Sequence, residues 1–261
     1  MSEALVLAER QDDCLVARLN RPGDGNAINL ALARELAALV ETCAADRALR
    51  ALVITGTGPR FFCTGGDVKA YARVDTADEL NAVFNLIRDL LDALEALHCP
   101  VIAAINGYAI GGGAELALAC DLRIMDAAAQ VGFPQSHLGI LPGWDGVGRL
   151  VPLVGRGVAA RLLLGGNRIG AVEALSIGLV DEVAPQGESF AKAMELARSF
   201  RETAPLSLAA IKAALRDAAC GDVFGARQRA REAFSRLWFT ADHKEAERAF
   251  AEKRAPRFAG A

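Results

Sequence analysis

The chain has 261 residues, a formal net charge of −3 and a sequence pI of about 5.7. This balance argues against a nucleic-acid partner, which would need a clustered excess of lysine and arginine. No two of the six cysteines have the C-x-x-C spacing of a zinc or redox site, and the three histidines are not paired with one another, so no metal centre is predicted. The N-terminus lacks the pattern of a secretory leader, and a reducing, cytoplasmic location is therefore expected.

The most apolar stretch, residues 101–120, is about as long as a membrane span. It contains three consecutive glycines at 111–113 and the carboxylate Glu115, and both features would be costly in lipid. A buried strand followed by the start of a helix is the better interpretation, and no membrane partner is expected.

Hydrophobic patterning predicts strands and helices in alternation over the first two thirds of the chain. Strands are predicted at 5–8, 14–20, 51–55, 101–105 and 122–125. Helices are predicted from the cap residue Asn29, over 78–97 with Leu80 and Val83 on its apolar face, and over 114–119. This alternation predicts an α/β fold.

The last third of the chain has a different pattern, since no strand is evident after about residue 186. Four helices are predicted, over 187–201, 206–219, 222–238 and 242–252. Their apolar residues include Phe234, Leu237, Trp238 and Phe250. A helical region with that much apolar surface is expected to pack on the parent domain or on a partner subunit.

Two glycine-rich segments each follow a predicted strand. Gly65 and Gly66 lie in the segment 61–69, which taken alone is more typical of an ordinary surface loop. The second segment, 106–115, places three glycines at the start of a helix, where unpaired N–H groups can hold a phosphate, a carboxylate or a developing oxyanion. This second segment lacks the spacing of a dinucleotide-binding motif and of a P-loop.

Glu115 follows the glycines in the first turn of the predicted helix. It is either a charge that stabilises the N-terminus of the helix or a carboxylate whose pKa is altered in an apolar pocket. The residues alone leave both interpretations open.

In this order and separation, the two segments resemble the crotonase (enoyl-CoA hydratase/isomerase) superfamily. The resemblance extends over nearly the whole chain and includes Arg21-Pro22, Asn26-Ala27, residues 100–107, residues 138–143 and residues 252–258. It implies a crotonase-like spiral of β-β-α turns over residues 1–200, and a helical region over 201–261 through which the chain forms a homotrimer or a hexamer.

The resemblance also implies a site and a substrate. The substrate would be an acyl-coenzyme A thioester, with no separate cofactor. The N–H groups of Gly66 and Gly112 would form an oxyanion hole, and Glu115 would move a proton or position water. The residues implied to contact the substrate are Ala27, Gly65, Gly66, Asp67, Val68, Lys69 and Gly112.

The chain departs from the superfamily pattern at the second catalytic glutamate, where it has Gln135. Glutamine is neither an acid nor a base and can only orient water or substrate through hydrogen bonds. We hypothesise that Asp145, ten residues further on, or a water held by Gln135 takes the second proton-transfer role. The alternative is that Asp145 caps a helix that begins near Gly146. Trp144 would narrow the acyl pocket or belong to the core.

The expected activity is therefore that of an enoyl-CoA hydratase or isomerase. A carboxyacyl-CoA decarboxylase is the first alternative, because loss of CO₂ generates the enolate directly and needs an oxyanion hole more than an acid–base pair. A non-catalytic acyl-CoA-binding protein is the second.

Overall fold

The structure is a computed structural model that describes residues 4–71, 74–219 and 223–261. The strands are β1 (Val6–Gln11), β2 (Cys14–Leu19), β3 (Ala51–Gly56), β4 (Phe61–Cys63), β5 (Val101–Ile105), β6 (Tyr108–Ile110), β7 (Leu122–Asp126), β8 (Gln130–Gly132), β9 (Arg168–Gly170) and β10 (Glu182–Ala184). The helices are α1 (Leu30–Ala45), α2 (Val68–Tyr71), α3 (Ala77–Ala96), α4 (Gly112–Leu118), α5 (Gly146–Gly165), α6 (Ala171–Ser176), α7 (Ser189–Ser199), α8 (Pro205–Ala219), α9 (Val223–Trp238) and α10 (Ala241–Glu252).

Two sheets organise the fold. The larger has the order β1-β2-β3-β5-β7-β10 and is parallel except for the β1–β2 hairpin. The smaller has the order β4-β6-β8-β9, with only β9 antiparallel. In the successive pairs β3-β4, β5-β6 and β7-β8, the first strand joins the large sheet and the second joins the small sheet. A helical segment follows each pair before the next strand begins. This is the predicted α/β spiral of β-β-α turns.

The strands of the large sheet agree closely with the sequence predictions, whereas the small sheet was missed. The strand predicted at 101–105 coincides with β5, and β2 and β3 begin at the expected residues. The strands β4, β6, β8 and β9 have three residues each, as does β10 at the edge of the large sheet. Three residues are too few to show an alternating pattern, so these strands are defined only by their neighbours in the sheet.

The core explains the near-continuous apolar runs of the large sheet. Leu52 and Ile54 of β3 pack into a cluster with α1, α3, α4 and the small sheet, while Val53 packs on the opposite face against α7. A parallel strand covered on both faces has no polar alternation, which accounts for its sequence.

The predicted cap at Asn29 is confirmed, and the structure adds a second cap that was not predicted. The Asn29 side chain accepts a hydrogen bond from Leu32 N over 2.9 Å, and Thr76 and Glu79 form a capping box at the start of α3. The predicted apolar face of α3 is correct at Val83, which is buried. It is wrong at Leu80, which is exposed because the first turn of α3 extends beyond the core.

Helices α8–α10 follow the spiral, as predicted, and α8 is fixed to it by a buried lysine. Lys212 Nζ donates to the carbonyls of Leu94 and Cys99 over 3.1 Å each and pairs with Asp121 Oδ2 at 2.7 Å. The boundary between core and tail near residue 200 stays a prediction. Within the described residues, no helix is both long and apolar enough to cross a membrane.

Candidate active site

The two glycine-rich segments lie side by side in the structure. β4 and β6 are parallel neighbours, so the loops that leave them start from the same edge of the small sheet. Gly65 has a φ of +97°, and a Cβ there would lie 2.9 Å from Gly112 N. Glycine is therefore required at position 65 both by the backbone conformation and by the close approach of the second segment.

The backbone N–H groups of Gly66 and Gly112 have no acceptor among the described residues, although their neighbours are paired. Ile28 N donates to Gly65 O over 2.8 Å, and Asp67 N donates to Ile28 O over 2.9 Å. Glu115 N donates to Gly111 O over 3.1 Å. Two unpaired donors on adjoining backbone segments, one of them at the start of α4, form an arrangement that suits an anionic oxygen.

Glu115 is buried beside these donors and is held by three hydrogen bonds. Its Oε1 accepts from the backbone N–H groups of Trp144, at 2.8 Å, and Gly146, at 2.9 Å. Its Oε2 accepts from Gln135 Nε2 over 3.1 Å. Only 2% of Glu115 is exposed. The side chain is therefore fixed in one position, and three of the roughly four acceptor positions of a carboxylate are in use.

Burial raises the pKa of the Glu115 carboxyl above its ordinary value. The three hydrogen bonds and the positive charge of Arg149 favour the carboxylate and oppose this rise. Of the two interpretations left open by the sequence, the structure therefore favours the buried carboxylate with an altered pKa. A carboxyl with a raised pKa is suited to accept and return a proton near neutral pH.

Gln135 lies in a 3-10 turn, Pro134–Leu138, and connects Glu115 to the rest of the site. Its Nε2 donates to Glu115, while its Oε1 is buried and has no partner. A buried acceptor without a donor is costly, so Oε1 is available to a water molecule or to a substrate hydroxyl.

Trp144 is both a core residue and a wall of the site. It is 3% exposed, and its indole ring lies against Gly112 and near Gly66. Its backbone carbonyl accepts from Arg149 Nη1 over 2.6 Å, and the carbonyl of Gly143 accepts from Arg88 Nε over 2.9 Å. Arg149 and Arg88 thus hold the backbone of the loop that contains Trp144 in place.

Asp145 occupies the N-cap position of α5 with a φ of +62°. Its side chain is exposed and makes no capping hydrogen bond, so the expected side-chain cap is absent. Asp145 is adjacent in sequence to two backbone groups that bind Glu115, but its carboxylate makes no hydrogen bond to Glu115 within the described structure.

The other residues implied to contact substrate also come together. Residues 27–28 run beside 65–67, which brings Ala27 next to Gly65. Asp67 pairs with Arg21 at 2.9 Å and accepts from Ala70 N over 3.1 Å. Burial would raise the pKa of Asp67, but the Ala70 N–H and the Arg21 guanidinium hold that pKa below its ordinary value. Val68 and Lys69 are exposed.

Sequence reasoning missed three residues that shape the site. The ring of Tyr71 would lie 2.7 Å from a Cβ on Gly66, and Phe84 packs against Gly143. Arg149 also binds Asp92 Oδ1 at 2.6 Å and Glu95 Oε1 at 2.5 Å on α3. These residues belong to ordinary helical patterns, and no local signal distinguishes them.

Two further features concern metal binding and the cavity elsewhere in the fold. Among residues 4–71, 74–219 and 223–261, no group of three or more histidine, cysteine or acidic side chains could hold a metal ion. A cavity of about 900 Å³ is lined by the loops that precede β4 and β6, including residues 56–60 and 106–108. It therefore lies at the opposite end of these strands from Gly66 and Gly112.

Comparisons with known proteins agree with this fold. The family described as enoyl-CoA hydratase/isomerase matches residues 9–261. A 2,3-dehydroadipyl-CoA hydratase of Escherichia coli is 39% identical over 260 residues, covering 100% of both chains. A crotonyl-CoA hydratase of Syntrophomonas wolfei is 36% identical and covers 97% of both chains. The crystal structure of an enoyl-CoA hydratase from Bacillus anthracis has a TM-score of 0.94 at 34% identity, covering 99% of this chain and 100% of that one. This chain is an enzyme of the enoyl-CoA hydratase/isomerase family.

Proposed function

We propose that this enzyme hydrates a 2-enoyl-CoA thioester with Glu115 as the buried acid–base group of the site. The observation that carries the proposal is the position of Glu115, which is buried with a raised pKa beside the unpaired N–H groups of Gly66 and Gly112. Those two groups would bind the thioester oxygen and stabilise the enolate. Loss of one such donor typically costs about 10²–10³-fold in rate.

One carboxylate is sufficient for the complete reaction. Glu115 takes a proton from water as the water oxygen bonds to the β-carbon, and the electron pair of the carbon–carbon double bond moves into the enolate. The enolate then collapses, and the α-carbon takes the proton back from Glu115. Gln135 would orient the water through its unpartnered Oε1, which compensates for the missing second glutamate.

Asp145 remains the alternative donor for the second proton. Its exposed side chain gives it weaker support than Gln135, whose amide is bonded to Glu115. The variant Asp145→Asn distinguishes these two mechanisms. Full activity in this variant assigns both proton transfers to Glu115 and water, whereas a large loss of kcat assigns one proton transfer to Asp145.

Coenzyme A would enter as part of the substrate, and the reaction requires no metal or redox cofactor. Ala27 and the segment 65–69 would lie along the coenzyme, since they adjoin the two proposed donors. Five buried cysteines are free thiols, which is consistent with a cytoplasmic location. The helices α8–α10 would assemble the chain into a homotrimer or a hexamer.

Ultraviolet absorbance of crotonyl-CoA, followed by mass spectrometry of the product, tests the activity. Loss of the conjugated enoyl band with a gain of one water is the expected result. An unchanged spectrum while the thioester still binds would contradict hydration of this substrate.

Decarboxylation of a carboxyacyl-CoA is the second candidate, and the observation in its favour is Gln135 in place of a second carboxylate. It would be tested next with malonyl-CoA, whose α-carbon carries no branch, and then with methylmalonyl-CoA and ethylmalonyl-CoA. Turnover of none of these thioesters, nor of crotonyl-CoA, with thioester binding intact, would contradict both candidate reactions.

A further inference from the structure

We infer that Trp144 is a specificity-determining residue that restricts the enzyme to thioesters without a branch at the α-carbon. The inference rests on the proposed function, because it places the thioester carbonyl between Gly66 and Gly112.

The benzo ring of the indole borders both proposed donors. A Cβ on Gly112 would lie 2.6 Å from Trp144 Cε3 and would overlap Cζ3 and Cη2. A Cβ on Gly66 would lie 3.4 Å from Cζ2. The ring therefore occupies the space that a side chain at position 112 would fill and lies at contact distance from position 66, where the ring of Tyr71 comes closer.

In the proposed binding mode, the α-carbon of the thioester lies near Gly66 and Gly112, the same two glycines that the ring borders. An oxygen held by both N–H groups is about 2.7–3.1 Å from each nitrogen. The carbonyl bond adds about 1.2 Å and the next carbon–carbon bond about 1.5 Å. The α-carbon is therefore within roughly 6 Å of both glycine nitrogens, and a substituent on it competes with the indole for space.

The indole cannot leave this position through a backbone movement without breaking hydrogen bonds. The Trp144 N–H donates to Glu115, and its carbonyl accepts from Arg149. The rings of Tyr71 and Phe84 lie 6.0 Å apart, centroid to centroid, and pack against Gly66 and Gly143 on the same side of the site. Rotation of the Trp144 side chain is thus the main freedom left.

The substrate class follows from this geometry. A planar, α-unbranched enoyl thioester can lie along the flat ring. A 2-methyl group lies in the same plane and widens the acyl group at the α-carbon, where it would collide with the ring. One methyl group is typically worth about 10–200-fold in discrimination.

The experiment compares kcat/KM for crotonyl-CoA and 2-methylcrotonyl-CoA in the parent and in Trp144→Ala. The alanine variant keeps the backbone N–H that binds Glu115, so it removes only the ring. In the variant, the ratio of kcat/KM for crotonyl-CoA to kcat/KM for 2-methylcrotonyl-CoA should fall by about tenfold or more, because the ring no longer collides with the 2-methyl group. Trp238→Phe, at the only other tryptophan of the chain, is the matched control and should keep the parent preference. A preference in Trp144→Ala within twofold of the parent would overturn the inference.

A binding measurement separates this inference from the proposed reaction. Propionyl-CoA and isobutyryl-CoA differ by one α-methyl group and need no turnover. The parent should bind propionyl-CoA about tenfold or more tightly than isobutyryl-CoA, and Trp144→Ala should lose this difference. That result without any hydration of crotonyl-CoA would reject the proposed reaction and keep the role of Trp144. Equal affinities in the parent would reject the role of Trp144, whatever the reaction.

Discussion

The backbone N–H of Trp144 donates to Glu115 Oε1 over 2.8 Å, while the indole ring of the same residue lies against Gly112. One residue thus orients the carboxylate through its main chain and shapes the acyl site through its side chain. The two effects can be separated, because a substitution at position 144 changes the ring and leaves the N–H in place.

Glu115→Gln should abolish most of the activity and leave the fold intact. Glutamine keeps Oε1 as the acceptor for Trp144 and Gly146, and a rotation of the Gln135 amide would turn its unpartnered Oε1 towards the new NH₂ group. Proton transfer is lost, so kcat should fall about 10²–10⁴-fold. Steady-state kinetics and circular dichroism measure the two effects. A variant with kcat within threefold of the parent would contradict the role of Glu115.

The raised pKa of Glu115 predicts a pH dependence of both rate and stability. The carboxylate form accepts the proton, so kcat should fall on the acid side with an apparent pKa above the usual value of about 4.3. A pKa raised by burial means that ionisation opposes folding. The contribution of protonated Glu115 to the free energy of unfolding is therefore complete below the pKa of the unfolded state. It is lost as the pH rises through the pKa of the folded state.

The parent should consequently lose thermal stability relative to Glu115→Gln as the pH increases from about 4 to 8. Thermal unfolding of both proteins across this range measures the difference. A constant difference in Tm would show that the pKa of Glu115 is the same in the folded and unfolded states.

Gly112→Ala should disrupt the site by displacing the indole. The new Cβ would overlap the ring of Trp144, and such overpacking typically costs about 1–3 kcal/mol of unfolding free energy. Adding Trp144→Ala should restore the stability, which gives a strongly non-additive double-mutant cycle in chemical denaturation. Gly113→Ala is the matched control, since its Cβ would overlap the backbone carbonyl of Cys63 and Trp144→Ala should not rescue it. Additive effects for Gly112 and Trp144 would contradict the packing.

Lys69→Ala should weaken binding of the coenzyme A part of the substrate without slowing the chemistry. Lys69 is exposed beside the proposed coenzyme path, so its charge is worth at most about 1 kcal/mol, and KM should rise up to about fivefold with kcat unchanged. The effect should shrink at high salt. Lys192→Ala, on the distant helix α7, is the control and should leave KM unchanged. A fall in kcat for Lys69→Ala would show that Lys69 contacts the reacting group.

The exposed aromatic residues of the tail predict self-association. Phe234, Phe239 and Phe250 are 63%, 80% and 88% exposed in the single chain. Three large apolar side chains in one helical region are typical of a surface that a partner covers. Light scattering of the purified protein should give the mass of a trimer or a hexamer. A monomer at micromolar concentration would contradict the prediction.

Local patterns in the sequence were sufficient for the fold class and for the positions of most longer elements. The strand at 101–105, the Asn29 cap and the four tail helices all depend on periodicity or on neighbours within a few residues. The glycine run at 111–113 is also a local feature, because it lies at the start of a helix. The roles of Gly66 and Glu115 were implied by the resemblance to the family and not by local patterns.

Tertiary structure alone decided the composition of the site. Glu115 accepts hydrogen bonds from Gln135 and Trp144, which lie 20 and 29 residues further along the chain. No short-range sequence pattern predicts these contacts. The small sheet brings its strands β4 and β6 together in the same way, and so places Gly65 against Gly112. The sequence by itself determined which groups could do chemistry, whereas long-range packing decided which of them meet, because burial and hydrogen-bond partners depend on segments far apart in the chain.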